Sequence, residues 1–335
     1  MTTYRESGVN IELGDTCSQI AYNAAKATFP SREGLIGSAV IDDGGFAGLI
    51  DMGDYYLVQN DDGVGTKILI AEHLQSYDTL GYDLLAMVAD DAVCIGAETI
   101  SISNTLDVDK VDPQKVTPLL NGLKEACIKH KVIIPGGEIA EMNNMVNGYI
   151  WNATAVGIVE KHKLITGKNI QSGDLIIGLK SAGFRANGFT LVRHILTNAF
   201  GPDWYHAPYD QNQNWGQAVL TPSIIYSSAI LEMHGRFKKE PIVEIKGIAH
   251  ITGGGIHGNL ARTLKKTGLK ADLHTLPKPH PIMEKLIEIG KVPLQDAYNT
   301  WNMGIGMILI ANDFDKISEI CTKHQIQSQI IGKIV

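Results

Sequence analysis

Asn60-Asp61-Asp62-Gly63-Val64-Gly65-Thr66-Lys67 follows directly on the apolar run Tyr55-Tyr56-Leu57-Val58. An apolar strand that ends in carboxylates, followed by a glycine-bearing turn, a hydroxyl and a lysine, suits a metal-bound phosphate. Glycines lack the Cβ that would keep backbone N–H groups from approaching an anion. The acids recruit a hard cation such as Mg²⁺, which needs only one or two carboxylates beside phosphate oxygens and water. The G-x-x-x-x-G-K-[ST] spacing of a Walker A loop is absent. A tight turn with solvated acids and a surface lysine is the bland alternative.

Outward from this stretch, strand-like and helical patterns alternate. Residues 54–58, 99–103, 132–134 and 153–159 read as strands, and 68–74, 79–95 and 116–130 as helices. The polar segment 160–174 carries two glycines and marks a boundary, giving domains 1–165 and 166–335. The second half opens with the strand 175–179, then a helix over 189–196 with Asn187 as its N-cap. A glycine run precedes a helix over 256–264, and a strand follows at 305–311. Both halves therefore read as α/β.

On a wheel of the 83–95 helix, Leu84, Leu85, Val88, Ala92 and Ile95 share one stripe. Asp91 falls about 20° outside it, whereas Asp83 and Asp90 point away. A carboxylate at the edge of a buried stripe needs a cation or donors. Asp91 is therefore the better metal candidate and Asp90 a solvated neighbour or a helper through water; an acid snorkelling at the helix edge is the bland alternative. Pro135-Gly136-Gly137-Glu138 reads as a strand end that exposes an acid, or as a glycine turn before a helix-start acid. Gly44-Gly45-Phe46-Ala47-Gly48 is either a loop folding over phosphate or a hairpin connection. In His250-Ile251-Thr252-Gly253-Gly254-Gly255, small residues open a helix at its anion-binding end. His250 is an acid–base candidate, although a histidine beside isoleucine is more often structural.

The 335 residues carry 29 basic and 36 acidic side chains, a net charge of −7 that disfavours nucleic acid and anionic lipid as partners. Four scattered cysteines without C-x-x-C give neither a disulfide framework nor a zinc site. No apolar leader or membrane-length run is present, so a cytoplasmic protein is expected. No G-x-S-x-G or G-x-G-x-x-G appears. Acids, glycine turns and a lysine remain, a set suited to Mg-ATP chemistry without a covalent enzyme intermediate.

Eight segments carry a resemblance. Tyr4-Arg5-Glu6-Ser7-Gly8-Val9, Asp62-Gly63-Val64-Gly65-Thr66-Lys67, Gly81-Tyr82-Asp83-Leu84-Leu85-Ala86-Met87 and Gly96-Ala97-Glu98 come first. Gly136-Gly137-Glu138 with Ala140-Glu141-Met142, Asn187 to Arg193, His250 to Gly255 and Asn302 to Met307 follow in order. Together they resemble the aminoimidazole ribonucleotide synthetase (phosphoribosylformylglycinamidine cyclo-ligase) family. The resemblance implies a two-domain α/β fold (α and β mixed) whose N-terminal sheets pair into a barrel across a homodimer. It implies ATP-dependent ring closure of formylglycinamidine ribonucleotide in purine biosynthesis, with ATP and Mg²⁺ as cofactors.

Carried over by position, Asp62, Lys67, Asp91 and His250 are the catalytic candidates. Asp62, Asp91 and Glu138 would hold metal. Gly44, Gly45, Phe46, Gly48, Asp62, Gly63, Gly65, Thr66, Lys67, Asp91, Gly137 and Glu138 would meet the nucleotide. Arg185, Asn187, Thr252, Gly253 and Gly254 would meet substrate phosphate. The chain departs from the family pattern at Asp61 (usually Thr), Asp90 (usually Asn), Asn104 (usually Asp) and Gly148-Tyr149-Ile150. It also departs at Phe184-Arg185-Ala186, where His-Ser usually precedes Asn-Gly. The alternatives are a nucleotide-binding paralogue without ring closure and phosphoryl transfer to another acceptor.

Overall fold

The computed structural model describes residues 11–41 and 46–335. In the first half, α1 (Ile11–Ala27), β1 (Ser38–Val40), β2 (Gly48–Asp51) and β3 (Tyr55–Gly63) precede α2 (Ile68–Leu74) and α3 (Leu80–Val93). Next come β4 (Glu98–Val108), α4 (Pro113–His130), β5 (Ile133–Glu141) and β6 (Tyr149–Glu160). The second half contains β7 (Leu175–Lys180), α5 (Phe189–Phe200), α6 (Trp215–Val219), α7 (Ser227–His234), β8 (Ile245–His250) and α8 (Gly255–Leu264). It closes with β9 (Ala271–Asp272), α9 (Pro281–Gly290), α10 (Leu294–Thr300), β10 (Ile305–Ala311), α11 (Phe314–Lys323) and β11 (Ser328–Ile334).

The first half builds a six-stranded sheet in the order β1-β2-β3-β6-β4-β5. It is antiparallel except for the parallel pair β4–β5. β6 alternates buried and more accessible residues along its length, so one sheet face meets helices and the other is open. β3 runs further than residues 54–58 because its pairing with β6 continues through Asp62↔Ala153 to Gly63↔Asn152. The carboxylates therefore lie inside the ladder rather than after it. α4 begins at a built N-terminus: the Asp112 carboxylate accepts the Gln114 N–H at 2.9 Å, and Pro113 fills the first turn.

α3 sits between the sheet and the rest of the molecule. It packs on β3, β4 and β6, against α4, and against α7 of the second half. Gly81 and Gly122 allow α3 and α4 to touch: a Cβ on Gly81 would lie 2.0 Å from the Leu123 nitrogen. The second sheet, β8-β10-β7-β11-β9, is antiparallel throughout. Helices cover both its faces. Ile176, Ile308 and Ile310 pack with α5, α8 and α9, while Ile177, Leu179 and Leu309 pack with α7 and α11. Burial on both faces explains the unbroken apolar run of β10. The helix at 189 starts at Gly188, with φ 76°, so Asn187 is not its N-cap. Among the described residues, no helix is long and apolar enough to cross a membrane.

Candidate active site

β3 and α3 together position the acids. Asn60 is buried on β3 and donates from its amide nitrogen to the Val88 carbonyl of α3 at 3.0 Å. Asp62 lies two residues on, on the same strand face, and Asp91 lies three residues beyond Val88, on the next helical turn. The two carboxylates are near enough for the charge of Asp91 to act on Asp62. Burial pushes the Asp62 carboxyl up; the Gly63 N–H, donated to it at 2.7 Å, lowers it, and Asp91 raises it again. Both acids are only partly covered. Asp61, on the opposite strand face, is exposed and accepts the Thr154 hydroxyl.

Among the described residues, no three His, Cys, Asp or Glu side chains form a metal-holding group. Two neighbouring, partly open carboxylates for which no lysine or arginine ion pair is seen among the described residues nevertheless suit Mg²⁺, which takes its remaining oxygens from phosphate and water. Glu138 does not join them. It pairs in register with Thr105, which faces Asn152, which faces Gly63. Three strand spacings separate it from the end of β3, about 14 Å. Residues 135–138 form no strand end. β5 continues through them as an exposed outer strand, the place where Pro135 and two glycines are tolerated.

His250, at the end of β8, stands behind Asp91. Its Nδ1 lies 2.7 Å from Asp91 Oδ1 and its Nε2 lies 2.9 Å from Arg185 Nη2. The histidine is fully buried with both ring nitrogens engaged, so it is not placed to exchange protons with a substrate. Arg185 is also buried, and its Nη2 donates at 2.7 Å to Asp90 as well. Nη1 donates to the Ile224 carbonyl at 2.9 Å, and the guanidinium stacks 4.9 Å from the Tyr226 ring centroid. It is not a phosphate clamp at the surface. Burial lowers its pKa, but the adjacent Asp90 outweighs that and raises it overall.

Asp90 is not a solvated neighbour. It is fully buried and accepts the Tyr226 and Ser227 N–H groups at 2.9 Å, closing the N-terminus of α7. Asp83 is likewise fully buried. The wheel missed both because α3 is covered almost all round and has no solvent face.

Lys67 departs from the phosphate role in the same way. It is buried, pairs with Asp83 Oδ2 at 2.8 Å and donates to the Thr221 carbonyl at 2.7 Å. Burial pushes Lys67 down and Asp83 up, with their mutual attraction opposing both shifts. Asp83 also accepts the Ser223 N–H at 2.9 Å. Seven residues, two turns of α3, separate Asp83 from Asp90, so both meet the segment 221–227. That shared face was visible in the spacing; the cations that meet it come from distant parts of the chain.

The glycine turns divide. Gly63 is needed because a Cβ there would lie 2.1 Å from Asn152 Oδ1, whereas Gly65 and Thr66 are exposed. Gly255 has φ 63° and fits against α10, where a Cβ would come within 1.6 Å of the Tyr298 carbonyl oxygen. The Gly254 and Gly255 N–H groups bond Asn299 and Thr252 carbonyls; Gly253 and Gly254 are exposed and Thr252 is partly so. Asn187 has a buried Oδ1 without a partner. Gly44 and Gly45 lie outside the described residues, while β1 and β2 on either side pair as a hairpin. Phe46 lies 4.3 Å beneath the Arg262 guanidinium, and Gly48 opens β2.

With this geometry in place, the comparisons decide the family. Residues 44–159 match the family described as AIR synthase related protein, N-terminal domain, and 171–335 match its C-terminal domain. A phosphoribosylformylglycinamidine cyclo-ligase of Thermococcus kodakarensis is 36% identical over 337 residues, covering 100% of this chain and 96% of the relative. The chain belongs to the AIR synthase family. Its counterpart in Pyrococcus furiosus, with the same name, is 37% identical over 316 residues, covering 94% of this chain and 90% of the relative.

Solved structures share the family fold at lower identity. AaThiL complexed with AMPPCP and TMP aligns with TM-score 0.59 at 14% identity, covering 87% of this chain and 84% of that one. T. maritima PurL complexed with FGAR aligns with TM-score 0.58 at 15% identity, covering 88% of this chain and 44% of that longer one.

Proposed function

We propose that the chain closes the imidazole ring of aminoimidazole ribonucleotide from formylglycinamidine ribonucleotide and ATP, as a cytoplasmic enzyme of purine biosynthesis. The observation that carries this reading is the assembled Asp62–Asp91 pair, in a chain matched end to end by cyclo-ligases. The formyl amide oxygen is a poor leaving group. Its attack on the γ-phosphorus of ATP releases ADP and gives an iminophosphate. The amidine nitrogen of the same molecule then bonds to that carbon, and phosphate departs with the oxygen. Ring closure is intramolecular and gains from proximity once the substrate is held folded.

Asp62 and Asp91 would hold Mg²⁺, which when bound neutralises phosphate charge. Gly65 and Thr66 are exposed beside the acids and would face the nucleotide. Thr252, Gly253 and Gly254, the accessible part of their turn, would face the ribonucleotide substrate. The departures at Asp90 and Arg185 satisfy each other as one buried ion pair, which removes the ground they gave for a paralogue without ring closure.

A homodimer belongs to the proposal. β5 is the last strand of the sheet, paired with β4 on one side only and with Ile133, Ile134 and Ile139 exposed, an edge that a second copy would cover. Gly137 and Glu138 lie on that edge and would serve the interface rather than the Asp62–Asp91 pair of their own protomer. A single-turnover incubation with Mg-ATP and formylglycinamidine ribonucleotide tests the function. Equal, substrate-dependent yields of ADP and aminoimidazole ribonucleotide are expected; bound ATP with no ring formed would refute it.

A further inference from the structure

Arg185 Nη2 touches two acceptors at once, Asp90 Oδ2 at 2.7 Å and His250 Nε2 at 2.9 Å. A guanidinium only donates, so Nε2 of His250 must be the accepting nitrogen. The ring hydrogen then lies on Nδ1, 2.7 Å from Asp91 Oδ1, and the carboxylate receives it. The chain Asp90–Arg185–His250–Asp91 is buried at its first three members and partly open only at the last.

Each link has few alternatives. Asp90 is fixed by two backbone N–H groups of α7. Arg185 is fixed by the Ile224 carbonyl and by Tyr226, from a left-handed backbone with φ 62°.

We propose that Arg185, held in place by Asp90, is a positioning residue that acts through His250: it sets the ring tautomer and so aims the Asp91 carboxylate at the metal-nucleotide. This rests on the reading of Asp91 as a metal acid. It adds that the setting of that acid is made in the second half of the chain, by residues that never meet substrate. Partners behind a metal ligand are commonly worth roughly 10- to 100-fold in metal affinity.

The charge and the donor can be separated by three variants. Asp90→Asn keeps the carbonyl that closes α7, removes the charge that holds Arg185 and turns an NH₂ toward Nη2, while the Nη2 donor to His250 is retained. Arg185→Met keeps the packing on Tyr226 and removes the donor. The double variant Asp90→Asn/Arg185→Met also removes the uncompensated charge, so its fold is the best preserved of those lacking the donor.

Ring ¹⁵N spectra, with the His250 signals assigned by comparison with His250→Gln, report the tautomer directly. Mn²⁺ titration with ATP, followed by paramagnetic resonance, reports metal binding without turnover. We expect the Nδ1–H form in wild type and in Asp90→Asn. In the double variant that form should be lost, and Mn²⁺-ATP binding should weaken by roughly 10- to 100-fold. An Nε2–H ring in wild type would overturn the proposal by itself, whether or not any variant folds. A folded double variant with wild-type Mn²⁺-ATP affinity would overturn it too. Wild type that binds Mn²⁺-ATP and shows the expected tautomer, yet forms no imidazole, would count against the ring-closure reading and leave the relay standing.

Discussion

Two buried ion pairs lie on the same helix, seven residues apart, and they end differently. Lys67–Asp83 and Arg185–Asp90 both tie α3 to the segment 221–227. The first stops there: its lysine meets a carbonyl and its aspartate meets Ser223. The second continues through His250 to a carboxylate that opens to the outside. A buried charge with perturbed titration therefore does not by itself mark a functional residue. What separates the two pairs is whether the hydrogen-bond chain leads to a group a ligand can reach.

The largest test of that contrast lies at its open end. Asp91→Asn is expected to leave the fold intact and to cost about 10³-fold or more in kcat for Mg-ATP turnover, several kcal/mol of lost charge stabilisation. Full activity in that variant would put the metal elsewhere. At the closed end, Lys67→Met strands the Asp83 charge and should lower unfolding free energy by about 3–5 kcal/mol in denaturant titrations. Its kcat per folded molecule should stay unchanged. Lys67→Met/Asp83→Leu should recover most of the loss, and a change in kcat there would erase the distinction between the pairs.

A smaller effect tests a third junction between the halves. His130, the last residue of α4, lies 2.7 Å from the Ser228 hydroxyl of α7, and burial pushes its pKa from 6.5 down to about 4. The depressed value means that the unfolded chain binds the proton first. Its contribution is therefore complete above pH 6.5 and is lost as pH falls toward 4. Partial solvent screening limits it to about 1–2 kcal/mol. His130→Gln should flatten that part of the stability–pH curve; an unchanged slope would assign the acid limb to other groups. The smallest effect belongs to Lys115–Glu72, a 2.8 Å pair with both side chains partly exposed. Lys115→Ala should cost no more than about 1 kcal/mol.

The sequence made the frame legible where a single period dominates. The helices at 68–74 and 256–264 and the strand at 305–311 fall at or within a residue of their observed bounds, because apolar spacing and glycine turns bracket them. The strands at 54–58 and 132–134 read short, since polar and glycine residues continue a ladder that only partner strands reveal.

At the site, the neighbourhood of Asp62 and Asp91 was legible: Asp62 from the glycine-bearing turn that follows it, Asp91 from its place beside the apolar stripe of its helix. Asp83, Asp90, Lys67 and Arg185 were misassigned because wheel and motif reasoning suppose a solvent side, and α3 has almost none. Their partners arise from contacts 16 and 95 residues apart, which no local spacing encodes.

α3 lies within the segment matched by the N-terminal family domain, yet its carboxylates close α7 and anchor residues 221–227 of the other half. One apolar cluster also runs from Leu84 and Leu85 through to Phe189 and Ile305. The two family domains are thus halves of one cooperative unit rather than exchangeable modules. A chimera that joins this N-terminal half to a relative's C-terminal half must carry residues 185 and 221–227 along with α3. Severing the chain in the 160–174 connection would leave one fragment with bare buried acids and the other with a stranded arginine.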